Sequence, residues 1–401
     1  MTPKPLTVML VAAEASGDDR GAGLARALKR RLGDNIRFVG VGGARMAAEG
    51  VVSPFDITEL SIFGLIEGLL AYPMVVRRAD ETATLAERER PDIAVLIDSW
   101  GFTVRVAQRL KKLGIPMVKY VGPQVWASRP GRAKTAAKWF DHLLTIHGFD
   151  APAFEAHGLP VTFVGDATLA IDFSDADPAR LRRTIGARPN DPILLVLPGS
   201  RLSEIDRVLP AFEDAVTRLK AERPDLHVIV PVARTVAALV KTRIAGWPHR
   251  VHVVEGEGAK RDAMKAATVA LACSGTVTTE LALAGCPMVV GYKLAPLTYA
   301  ILKTLIRTRW VTLFNIAAQD FVAPELIQND CNGQALAREI AMRLDDADLR
   351  ARQVARQSQA LLKMGRGGPD PNEAAATAVL AVIGRAQRLS TDTKLRAGAP
   401  V

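Results

Sequence analysis

The sequence predicts an α/β protein made of two doubly wound parallel-sheet domains. Three observations lead there. Short apolar runs alternate with segments of helical spacing, each run ends in a small-residue turn, and the whole pattern stops once and begins again. A chain of 401 residues, 49% hydrophobic and 23% charged, is also longer than one core usually serves.

The first series comprises "LTVMLVAA" (6–13), "RFVGVGG" (37–43), "DIAVLID" (92–98), "IPMVKYVG" (115–122) and "HLLTI" (142–146). After "VTFVGDATLAIDF" (161–173) a stretch rich in Asp, Pro and Arg reads as a linker. The second series is "PILLVLPGSR" (192–201), "HVIVPVA" (227–233), "HVVEGE" (252–257), "VALACSGT" (269–276) and "PMVVGY" (287–292). The boundaries that follow are a first domain over 1–172 and a second over 173–339. Helices at 340–388, broken at "GRGGPDPN" (365–372), are expected to complete the first domain, and 389–401 to form a disordered tail. Sheets of this kind bind ligands beyond the carboxyl ends of their strands, so the expected architecture is two halves facing each other across a cleft.

Composition narrows the function. Lys and Arg outnumber Asp and Glu by 52 to 42, which favours an anionic partner without choosing among nucleic acid, phosphorylated metabolites and acidic membrane surfaces. Cys273, Cys286 and Cys331 form no CxxC pair and read as thiols of a reducing cytoplasm. The run Leu6–Ala13 ends at Glu14, which suits a buried strand better than a signal peptide. No uncharged run approaches the ~20 apolar residues that span a bilayer. Six histidines without HxxxH or HExxH spacing indicate no metal site.

The chemistry gathers at strand ends. In "CSGTVTTE" (273–280), Ser274, Gly275 and Thr276 would let a phosphate approach the start of a helix, and Glu280 would accept hydrogen bonds from vicinal sugar hydroxyls. Ser and Thr also cap helices with nothing bound, and both readings stand. "LPGSRLSEI" (197–205) repeats the pattern: Gly199 and Ser200 free the backbone, and Arg201 supplies a planar donor fork for a diphosphate. In "AAEASGDDRGAG" (12–23), Gly17 and Ser16 permit close approach while Glu14 and Asp18 suit a polyol. Asp98 in "LIDSWGF" (96–102) is either a general base or the cap of the helix that follows. In "YVGPQVWASRPGR" (120–132), Trp126 and Arg129 suit a phosphorylated sugar or a structural corner. The stretches 60–76 and 295–315 are apolar, the second basic as well through Lys303, Arg307 and Arg309. They could cover a core or rest on an anionic bilayer.

In order, "EASGD" (14–18), "IDSWGF" (97–102), "GPQVWASRPGR" (122–132), "LPGSRLSEI" (197–205), "CSGTVTTE" (273–280) with "PMVVGYK" (287–293), and "LFNIAAQDFVAPELIQ" (313–328) resemble the lipid-A-disaccharide synthase family, over about residues 6 to 385. The resemblance implies an inverting glycosyltransferase of GT-B fold that needs neither metal nor cofactor. It would join UDP-2,3-diacylglucosamine to 2,3-diacylglucosamine 1-phosphate, giving the β-1,6-linked lipid A disaccharide 1-phosphate and UDP. It further implies that Gly199, Ser200, Arg201, Ser274, Gly275, Thr276 and Glu280 hold UDP with Asn315 and Gln328 nearby, and that Asp98 is the base. Glu14, Ser16, Gly17, Asp18, Trp126 and Arg129 then lie on the acceptor side. The implied partners are the two acylated sugars and the anionic cytoplasmic face of the inner membrane, bound peripherally, with no nucleic acid and a homodimer left open. The sequence departs from the family at Trp100-Gly101, where Pro-Asp is usual, and at Asp166-Ala167, where His-Pro is usual. Another UDP-sugar transferase or epimerase would keep the nucleotide seat without the apolar patches, and a two-domain solute-binding protein would bind without turnover.

Overall fold

The computed structural model describes residues 5–60, 71–125, 129–200, 202–232, 236–296, 299, 303 and 308–397. The chain forms two compact units. One comprises Met1–Ala167 and Gly368–Val401, the other Thr168–Gly367.

In the first unit six parallel strands, β1 (Leu6–Val11), β2 (Ile36–Val41), β3 (Ile93–Ile97), β4 (Met117–Tyr120), β5 (His142–Thr145) and β6 (Val161–Phe163), lie in the order β2-β1-β3-β4-β5-β6. The runs that built β3 and β4 are buried throughout, as strands covered by helices on both faces must be. The second unit repeats the plan with β7 (Ile193–Leu197), β8 (His227–Val232), β9 (His252–Glu255), β10 (Val269–Cys273), β11 (Met288–Tyr292) and β12 (Glu325–Ile327), ordered β12-β11-β10-β7-β8-β9 and again parallel. In each sheet the direction of winding reverses once, between β1 and β3 and between β7 and β10. At those points the loops leave the strand ends on opposite faces and open a crevice. The α/β class and the doubly wound sheets agree with the sequence reading. The edge strands β6 and β12, three residues each, gave no periodic signal long enough to read.

The return of the chain to the first unit differs from the expectation. The helices Gly333–Asp345 and Ala347–Lys363 stay in the second unit, and only the helix Pro371–Ala397 goes back. The reason lies in two glutamines. Gln353 and Gln357, both buried, donate their side-chain amides to the carbonyls of Met288 (2.8 Å) and Cys286 (3.0 Å), and Ala360, Leu361 and Met364 enter the core beside Val290. The last helix buries Ala375, Ala376, Val379, Val382 and Ile383 against Leu24 and Leu28. Gly23 makes this approach possible, because a Cβ there would meet Asn372 Oδ1 at 2.2 Å. Helix continues to Ala397 where a disordered tail was expected from 389. "STDTKLRA" carries no Gly or Pro, and a helix already nucleated extends at little cost.

The apolar stretch at 60–76 lies mostly outside the described residues, as does much of 295–315. Among the described residues no helix is long and apolar enough to cross a membrane.

Gln353 also accepts from Nε of the buried Arg343 (2.7 Å). Gln353→Ala orphans that guanidinium nitrogen and the Met288 carbonyl together, so urea denaturation of the full chain should show a loss of about 1–3 kcal/mol. An unchanged midpoint would show that the pairing contributes nothing.

Candidate functional site

In the second unit a cavity of about 280 Å³ opens where the sheet reverses. Its floor is the carboxyl ends of the adjacent strands β7 and β10, and its walls come from Pro198-Gly199-Ser200, Ser274-Gly275-Thr276, Gly256, Lys260 and Glu280. Gly199 has φ +110°, a conformation open to glycine and few other residues, and it turns the chain sharply off β7 into the helix Leu202–Glu222. Gly275 precedes the helix Thr276–Ala284, and a Cβ there would meet nothing within 4 Å, so the backbone faces open space. Among the described residues no side chain caps this helix. The Ser and Thr residues at its start leave the N–H groups of its first turn without a side-chain cap, the condition under which a helix start can receive an anion.

One turn into that helix, Glu280 Oε2 lies 2.6 Å from Lys260 Nζ, which also reaches Glu257 at 3.2 Å. Burial pushes the Lys260 amine down, but the Glu280 hydrogen bond and the two carboxylate charges outweigh it, leaving the amine above its ordinary value. The cavity thus has a cation and an uncapped helix start on its walls, with a carboxylate held in a fixed position. Lys260 was not found from the sequence. It sits in "GEGAK" (256–260), a third strand-end turn of the same sheet, and that position was its only signal.

The other donor-side residues separate. Arg201 lies outside the described residues. Asn315 is fully buried away from the cavity lining. Its amide donates to the Ala323 carbonyl and Glu325, and its oxygen accepts from the Val322 and Ala323 amides. Gln328 accepts from the Leu294 amide at 2.6 Å and so pins the loop after β11. Both residues shape the second unit without lining the cavity.

In the first unit a charged cluster forms at the corresponding reversal, beyond β1 and β3. Asp98 and Ser99 both have positive φ, +50° and +34°, a strained arrangement for residues with side chains. Asp98 Oδ1 accepts from the next amide, Ser99 N–H (3.0 Å), while Oδ2 receives the Ser16 hydroxyl at 3.2 Å and lies 3.6 Å from Arg20. The helix Trp100–Leu110 has no side-chain cap, so Asp98 does not serve as one. Its side chain is one-third exposed. Arg20 also reaches Asp166 at 3.9 Å. Below the turn lies Lys119, fully buried on β4. Burial pushes its amine down to about 7, against the upward pull of Asp98 and Glu14. Sequence reasoning missed both cations, since Arg20 lay inside a glycine-rich turn read for its backbone and Lys119 inside a strand.

Glu14 and Ser16 stand at the start of the helix Ala15–Leu32, half-buried and exposed respectively, and Gly17 packs beneath them against Ala12 and Ile97. Asp18 does not join them. It is buried and accepts from the amides of Gly43, Arg45 and Met46 (2.8–3.0 Å), fastening the loop after β2, because an uncapped helix start beside it attracts a carboxylate. Arg129 is exposed at φ +53°, just before the helix Gly131–Trp139. Trp126 lies outside the described residues.

The family model for lipid-A-disaccharide synthetase matches residues 8–379. The chain belongs to this family. It is 41% identical over 382 residues to the lipid-A-disaccharide synthase of Rhodospirillum centenum, with 95% of each chain covered. It is also 41% identical over 389 residues to that of Paramagnetospirillum magneticum, covering 96% of this chain and all of the relative. Among solved structures it is similar to the MnaA–UDP complex from S. aureus (TM-score 0.60, 13% identity, 92% and 94% covered). A UDP-N-acetylglucosamine 2-epimerase described from Listeria monocytogenes is similar too (TM-score 0.58, 14% identity, 95% and 96% covered). The fold is that of GT-B enzymes, and family membership makes the chain a glycosyltransferase.

Nitrogen NMR on a lysine-labelled sample should show one amine with a protonation midpoint of about 7, absent in Lys119→Met. Raising pH through that value takes the proton from this site, well below the ordinary lysine value of about 10.4. A spectrum with every lysine titrating near the ordinary value would contradict the burial.

Proposed function

We propose that the protein transfers a 2,3-diacylglucosamine unit from UDP to the 6-hydroxyl of 2,3-diacylglucosamine 1-phosphate. The products are the β-1,6-linked lipid A disaccharide 1-phosphate and UDP. The observation that carries the site assignment is the cavity at the β7/β10 reversal in a chain that matches the synthase family over nearly its whole length.

In this reading the second unit holds the donor. Backbone amides at Gly199-Ser200 and Ser274–Thr276 receive the diphosphate, helped by the Arg201 guanidinium and the partial positive charge of the helix start. Glu280, oriented by Lys260, accepts from the ribose hydroxyls. Asn315 and Gln328 support the walls through the bonds described above. The first unit receives the acceptor, with Glu14, Ser16, Trp126 and Arg129 around it. Asp98 takes the proton from the acceptor 6-hydroxyl as that oxygen bonds to the donor anomeric carbon. The bond from that carbon to the phosphate oxygen breaks on the opposite side, and UDP leaves with the electron pair, so the anomeric centre inverts. A carboxylate one-third exposed, with Ser16 and Arg20 on one oxygen, is accessible enough for this and ordered enough to be aimed. Peripheral binding to the anionic cytoplasmic face of the inner membrane, through Lys303, Arg307 and Arg309, would bring the enzyme to both lipid substrates.

Given the two diacylated sugars, the purified protein should release UDP and form a disaccharide monophosphate identifiable by mass. Turnover of UDP-N-acetylglucosamine alone would instead assign an epimerase. Asp98→Asn should lower kcat by about 10²–10⁴-fold with UDP affinity unchanged, whereas Glu280→Gln should weaken UDP binding by roughly 10-fold or more. The reverse pattern would exchange the roles of the two carboxylates. Replacing Lys303, Arg307 and Arg309 together by Gln should reduce sedimentation with anionic vesicles, and equal sedimentation would remove that segment from membrane binding.

A further inference from the structure

We propose that Lys119 is a positioning residue for Asp98, its side chain holding the turn after β3 in the conformation that fixes the Asp98 carboxylate. The inference rests on the reading of Asp98 as the base.

Three contacts define the role. Lys119 Nζ reaches the carbonyl of Leu96 (3.3 Å), the carbonyl of Asp98 and the hydroxyl of Thr103 (3.0 Å). Carbonyl oxygens can only accept. The Thr103 hydroxyl already directs its proton towards the carbonyls of Asp98 and Ser99, both at 3.0 Å, so it too must accept from the lysine. Three acceptors require three protons, and only the ammonium form carries them. The cluster therefore calls for a positive charge at a site with no exposure to water.

Such a charge is costly, and folding alone does not ask for it. Its neighbours on β4, Met117, Val118 and Tyr120, are buried too, and an apolar side chain of the same volume would usually serve a core as well or better. What the ammonium supplies is local. It ties β3, the left-handed residue after it and the first turn of the helix Trp100–Leu110 to β4 at a single nitrogen. The same contact holds Asp98 and Ser99 at positive φ, where both would otherwise relax to extended or right-handed backbone. Rotation at Asp98 would swing its carboxylate away from Ser16 and Arg20.

The test uses the full-length protein and two substitutions. Lys119→Met removes the three donors, and Thr103→Val keeps the lysine and the shape but removes the hydroxyl that links it to the turn. Each should lower kcat, by about 100-fold and roughly 10-fold respectively, with the donor KM and UDP affinity unchanged, since a misaimed group costs rate rather than binding. In an Asp98→Asn background neither should lower the residual rate further, because both act through Asp98. If Lys119→Met does not fold, Thr103→Val alone decides. Normal kcat in the foldable variants, with Asp98→Asn inactive, overturns the positioning role and leaves the base standing. Losses that multiply with Asp98→Asn overturn it as well, indicating a general structural effect. Near-normal turnover in Asp98→Asn itself overturns the base reading on which the inference stands.

Discussion

Each half of this protein depends on one constraint: parallel strands wound outward from the middle of a sheet must part company at the middle. Connections on either side of that line leave for opposite faces, so no backbone fills the space above two neighbouring strand ends. In the second unit the strands are β7 and β10, and the space is the cavity. In the first they are β1 and β3, and the space holds Asp98, Ser16 and Arg20. Of these strands β3, β7 and β10 are short and wholly apolar, which keeps the middle of each sheet buried and leaves the turns beyond them to carry the polar groups.

The two sites answer the burial of charge in the same way. A carboxylate at the crevice is met by a lysine from a neighbouring element, Lys260 for Glu280 and Lys119 under the Asp98 turn. In the first case the ammonium touches the carboxylate itself. In the second it touches the backbone carbonyl of the same residue and leaves the side chain to Ser16 and Arg20. This difference fits the roles proposed for them, since a group that holds hydroxyls benefits from a fixed charge partner, whereas a proton acceptor needs one oxygen edge within reach of solvent and substrate.

Much of this was legible in the residues. The long apolar runs gave ten of the strands because a fully buried strand needs four or more such residues together. The turns "PGS" and "CSGT" marked the cavity because only small residues let backbone approach a ligand. What escaped notice required three dimensions. Asp18 and Asp98 follow similar strand ends in the sequence, yet one faces the loop after β2 and is saturated by three amides while the other faces the crevice. Asn315 and Gln328 carry the polarity of ligand-binding residues and spend it on their own backbone. Lys119 looked like an interruption in an apolar run, and its partners come from segments 16 to 23 positions away.

The helix Pro371–Ala397 completes a core begun about 350 residues earlier, seated where Gly23 leaves room for Asn372. During synthesis, then, the second unit emerges whole while the first still lacks one wall, with Leu24 and Leu28 uncovered until the helix Pro371–Ala397 leaves the ribosome. The order of maturation is thereby inverted relative to the order of translation: the half made first is the half finished last.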